Sequence, residues 1–165
     1  MVRGCLVSLL VLSHAGLAQA QGYVGAQRCG TCHPFAFAKW SEGPHARAQL
    51  VLRPNELLSS KCNTCHTMAP ESDDSALAGV QCEQCHGVGK YYAADYVMRD
   101  QVLSRAVGLI QPGADQCRRC HTEGAPSIEP FDFAAMWARI DHGAKAREAW
   151  WRSHASSDVA ASGVR

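Results

Sequence analysis

Two cysteines and a histidine recur at one spacing four times in this chain: Cys29-Gly-Thr-Cys32-His33, Cys62-Asn-Thr-Cys65-His66, Cys82-Glu-Gln-Cys85-His86 and Cys117-Arg-Arg-Cys120-His121. C-x-x-C-H is the attachment signature of c-type haem. Cysteines three apart share one face of a helical turn, so both sulfurs can form thioethers to the two vinyl groups of one haem. The histidine that follows is placed to bind the iron as proximal ligand. The motifs therefore predict four covalently bound haem c groups, with His33, His66, His86 and His121 as proximal ligands. Four-cysteine zinc sites need no histidine after each pair, and neither do redox dithiols. Four trailing histidines set both aside.

The far side of each iron is harder to fill. Of eight histidines, His14 falls in the leader and four are proximal, which leaves His45, His142 and His154. At least one iron therefore has no second histidine from this chain. His45 follows His33 by twelve residues, beside small Ala46 and Ala48 that let its ring approach, and is a distal candidate. His142 ends an apolar helix and is another. Met98 and His154 are weaker candidates: methionine ligates haem iron in some cytochromes, but it is more often a core residue. Met68 and Met136 read as core or stripe residues for the same reason. Phe35, Trp40, Phe133 and Trp137 read as haem-packing aromatics.

These groups must be positioned by a chain of 165 residues. Arg3, the apolar run Leu6 to Leu12 and Ala18-Gln19-Ala20 form a secretory leader over 1–20. The ninth cysteine, Cys5, lies inside it. The apolar run is too short to span a bilayer, so the chain after cleavage is not expected to be an integral membrane protein. Every cysteine of residues 21–165 belongs to a motif, so none remains for a disulfide. Sixteen Lys and Arg against fifteen Asp and Glu give a formal charge of +1. That balance, with no basic tract, gives no nucleic-acid signature. Haem propionates will make the loaded protein acidic.

With so few residues per haem, the rings themselves must serve as core. The expected fold is mainly α, a small haem-packed multihaem cytochrome c with short helices, long loops and little or no sheet. The domain is read as 21–155, with 156–165 a disordered tail. A brief helix is expected over Pro34 to Trp40, ended by Gly43-Pro44, and a second carries His45 to Leu52. Asn55 is expected to cap a helix from Glu56 to Cys65. Glycines around the third motif suggest close approach of backbone to a haem face. Tyr91 to Leu109 is weakly helical. Phe133, Met136, Trp137 and Ile140 follow the i, i+3, i+4, i+7 pattern of an amphipathic helix, with Gly143 as its C-cap. A further helix spans Ala144 to Ala155.

The segments flanking the motifs resemble the tetrahaem cytochrome c-554 family, the cytochrome c-552/4 group. The resemblance rests on Tyr23-Val24-Gly25, on Trp40 and Pro44-His45-Ala46-Arg47-Ala48, on Gly79 to Gly89 and on Val97-Met98-Arg99-Asp100. It continues from Cys117 to Ser127 and through Phe131-Asp132-Phe133 and Met136-Trp137 to His142. It implies a mostly helical fold, with His33 and His142 on the first haem and His86 and His45 on the third. It also implies that the haem on His66 can be five-coordinate. The family places a distal histidine for the fourth haem between the third and fourth motifs, and residues 87–116 contain none. Met98, His154 or a vacancy are all open opposite His121.

The function expected is single-electron transfer between redox partner proteins in the periplasm, with donor and acceptor unidentified. Two alternatives stand beside it. One is a reductase of nitric oxide, nitrite or hydroxylamine at a five-coordinate haem, for which Glu71, Asp73 and Asp74 would be the nearest acids. The other is a haem subunit of a larger redox complex. No catalytic residue set is read from the sequence.

Overall fold

The computed structural model describes residues 22–70, 74–125 and 130–161, with side chains to residue 153. The leader over 1–20 lies outside the described residues, as do Glu71 and Asp73. The described residues form ten α-helices and three short 3-10 segments, with no strand.

The first motif starts on α1 (Gly25–Gly30) and finishes in the turn before α2 (Pro34–Glu42). Pro34 opens α2 because the first helical position needs no N–H and suits its fixed φ. The segment His45–Val51 is a 3-10 turn rather than the expected α-helix. The 3-10 segment ends before Pro54, which opens the next helix, α3 (Pro54–Leu57), and the Glu56 carboxylate caps it by accepting from the Arg53 N–H at 2.8 Å. Asn55 is inside α3 and is not the expected cap. The second motif lies wholly in α4 (Ser60–His66) and the third wholly in α5 (Cys82–His86). Two short helices, α6 (Asp95–Met98) and α7 (Gln101–Ala106), account for the weakly helical stretch. α8 (Ala114–Arg118) carries Cys117, with Cys120 and His121 in the turn that follows.

α9 (Phe133–Ile140) is capped by Asp132, whose carboxylate accepts from the Ala135 N–H at 3.0 Å. It ends at Asp141, and the Asp141 carboxylate accepts from the Gly143 N–H at 2.8 Å. Gly143 is thus not the left-handed cap expected. α10 (Ala144–Ala161) continues past the Ala155 end read from the sequence, through an Ala- and Ser-rich stretch. Alanine is the strongest helix former, so the stretch needs little packing to stay helical.

The apolar core is small. Among the described residues only Ala26, Phe35, Met68, Ala69, Leu77, Tyr92 and Val97 are buried hydrophobics. Met68, Ala69 and Leu77 cluster under Tyr23. Phe35 packs on Trp150 of α10, ring centres 5.4 Å apart. The apolar stripe of α9 is only half-buried and faces a cavity instead of a protein layer.

Candidate haem sites

Each motif places its histidine by the same backbone bond. The His33 N–H donates to the Cys29 carbonyl at 3.0 Å, and the His121 N–H to the Cys117 carbonyl at 2.9 Å. In α4 and α5 the helix itself supplies this spacing. Two cysteines and the following imidazole thus come to one side of a single helical turn.

Three imidazoles are then oriented by carbonyl oxygens. His66 Nδ1 meets the Ala48 carbonyl at 2.7 Å, His86 Nδ1 the Ile110 carbonyl at 3.1 Å and His142 Nδ1 the Ile140 carbonyl at 3.0 Å. A carbonyl can only accept, so Nδ1 carries the proton and Nε2 keeps its lone pair, the form that binds a metal. The Ile110 N–H returns a bond to the His86 carbonyl at 2.8 Å, which locks that contact from both sides. Burial pushes His45, His86 and His121 below the ordinary histidine range and keeps them neutral, with neighbouring imidazoles adding to this at His45 and His86.

A cavity of about 580 Å³ is shared by the third and fourth motifs. Cys82, Cys85 and His86 open onto it from one side, and Cys117 and His121 from another. His45, His142 and the α9 stripe residues Phe133, Met136, Trp137 and Ile140 complete the wall. His45 and His121 have ring centres 6.1 Å apart, and His86 and His142 5.8 Å apart. Imidazole nitrogen binds a metal at about 2 Å and the ring centre lies about 1 Å beyond it, so two rings across one iron stand roughly 6 Å apart. The donor set, the neutral imidazoles and these spacings fit haem. The neighbouring rings are thus His45 with His121 and His86 with His142, whereas the resemblance implies His45 with His86 and His142 with His33.

The local backbone accounts for His45. Its carbonyl accepts from the Val80 N–H at 2.9 Å, and the Trp40 indole donates to the Val80 carbonyl at 2.8 Å. The glycines around the third motif also approach backbone and side chains closely. A Cβ at Gly79 would stand 2.7 Å from the Ala46 carbonyl oxygen, and one at Gly87 2.6 Å from that of Gly108. Met98 ends α6 half-buried. Met68 is 2 % exposed and belongs to the apolar core. His154 falls where only the backbone of α10 is described.

The sulfurs link the motifs pairwise. Cys29 and Cys82 interact directly, and the Cys82 thiol is held far above its ordinary range by Cys29 and by burial. Burial, then Cys117, pushes Cys85 up. Burial, then Cys65, pushes Cys120 up to about 12.

Two functional-site residues were not legible in the sequence. Glu83 and Gln81 are buried and polar, and both bond the chain entering the first motif: the Gln81 side-chain oxygen accepts from the Ala26 N–H at 2.6 Å. Glu83 sits at a variable position of C-x-x-C-H, where a carboxylate carries no signal of its own.

Four C-x-x-C-H turns on short helices, two of them opening onto one cavity, without a strand among the described residues, define a small multihaem c-type cytochrome. Residues 56–131 match the family model described as Cytochrome c3. The chain is 26 % identical over 151 residues to cytochrome c-554 of Nitrosomonas europaea, a match covering 69 % of this chain and 64 % of that protein. The chain thus spans somewhat less than two thirds of the curated relative it matches. The solved reduced state of cytochrome c554 from Nitrosomonas europaea has the same fold, with a TM-score of 0.52 at 21 % identity, over 76 % of this chain and 80 % of that one. The cofactor is haem c, covalently attached, four per chain. No helix among the described residues is long and apolar enough to cross a membrane.

Proposed function

We propose that this chain carries single electrons between redox partner proteins in the periplasm, after removal of the leader over 1–20. The observation that carries this reading is the single cavity onto which the third and fourth motifs both open, with His45 beside His121 and His142 beside His86. Haem at these sites supplies one-electron iron redox chemistry. The chain's part is to hold the four attachment turns side by side, to keep His45, His86 and His121 neutral, and to exclude water with the α9 stripe. In this reading His45 and His121 would hold one iron and His142 and His86 another, which would supply the fourth haem despite the missing histidine in residues 87–116.

The test uses the loaded protein, fully reduced. Mixed with a one-electron oxidant, it is expected to give up four electrons per chain and to leave nitrite, hydroxylamine and nitric oxide unconsumed. Multiple turnovers of any of these three would overturn the carrier reading in favour of a reductase. Carbon monoxide added to the reduced protein then reports which irons are exchangeable, and the irons on His86 and His121 are expected to resist it.

A further inference from the structure

Glu83 is 3 % exposed, yet no cation pairs with it among the described residues. Its carboxylate is held by backbone instead. One oxygen accepts from the Val24 N–H at 3.0 Å and from the Gly89 N–H at 2.6 Å. The other accepts from the Val24 N–H at 3.1 Å and from the Gly25 N–H at 2.8 Å. All the donors are N–H groups, so both oxygens act as acceptors, the pattern of the ionised form. The carboxylate sits on α5 between the two cysteines of the third motif, and two of the N–H groups it holds, those of Val24 and Gly25, open α1, which delivers Cys29. Its charge reaches the sulfurs of both Cys29 and Cys82.

A single fixed negative charge therefore lies between the first and third attachment sites, out of water. We propose that Glu83 sets the reduction potentials of the haems on His33 and His86, holding both lower than their ligands alone would. Adding an electron beside a buried anion is opposed by Coulomb repulsion, which a low-dielectric interior screens poorly. Hydrogen bonds, charge and burial are the levers a protein has on haem potential. The inference rests on haem attachment alone and stands whether the chain is a carrier or an enzyme.

The test is a spectroelectrochemical titration of the four-haem protein, with haems assigned by NMR. In E83Q, which keeps the shape and removes the charge, the potentials of the haems on His33 and His86 are expected to rise, and those on His66 and His121 to move less. E83D, which keeps the charge, is expected to return them towards the starting values. A purely structural bolt would leave all four potentials in place in E83Q, or shift all four equally, and either result overturns the proposal. If E83Q does not assemble with four haems, V24P decides. It removes one donor and keeps the carboxylate, so the same two potentials should fall; no change or a rise overturns the proposal.

Discussion

His45 and His142 reach the shared cavity from opposite ends of the chain. His45 comes from a 3-10 turn pinned to Val80, and His142 from the turn after α9, with its Nδ1 on the Ile140 carbonyl. If each faces a different iron, their removal must be additive. H45A is expected to convert one low-spin haem of the four to high spin, H142A another, and the double variant two, counted by electron paramagnetic resonance. A double variant with only one new high-spin haem would mean that both serve the same iron. The histidines themselves were legible, because imidazole after C-x-x-C has a chemical reason, and so were the two distal candidates. Their partners were not, because pairing depends on which turns meet across the cavity. Glu83 was hidden for a related reason: two of the three N–H groups that hold it, those of Val24 and Gly25, lie nearly sixty residues away in sequence.

The elements that hold these residues are too short to be stable alone. Isolated helices below about 12 residues are marginal in water, and most here are shorter, so caps and close backbone contacts position them. Gly79 is the sharpest case. Its φ is +77°, and an added Cβ would press on the carbonyl oxygens of both His45 and Ala46, at 2.9 and 2.7 Å. Gly79→Ala is expected to cost about 1–3 kcal/mol, the usual range for forced backbone strain. Denaturant unfolding of the loaded protein measures it, and the same variant should weaken the low-spin signal of the iron on His121. Gly124→Ala, with open space around its Cβ, is the control and should leave both unchanged. Periodicity made α9 readable, since its stripe and its Asp132 cap agree. It failed at α3, where Pro54 could equally end one helix or begin the next, and only the Glu56 cap on the Arg53 N–H decided between them.

At the scale of the whole molecule, the described residues lack the apolar interior that a chain of this length ordinarily builds. The seven buried hydrophobics among them, three in one small cluster, cannot offset the conformational entropy of ordering more than a hundred others, at about 1–2 kcal/mol each for backbone alone. The stripe of α9 and the ring of Trp40 line space instead of packing on a protein layer. Haem held there would bury their apolar surface, and its thioethers would tie α5 and α8 to that cavity. Haem is in this sense a structural element, in the way that disulfides and metals stabilise domains whose own core is too small. The polypeptide made without haem attachment, kept reduced, is therefore expected to show no cooperative unfolding transition and no slow amide exchange beyond local helix. The four-haem protein should unfold in one cooperative step. A sharp transition in the unattached chain, followed by circular dichroism, would mean that the small cluster around Met68 suffices and that the haems are passengers in a fold formed without them.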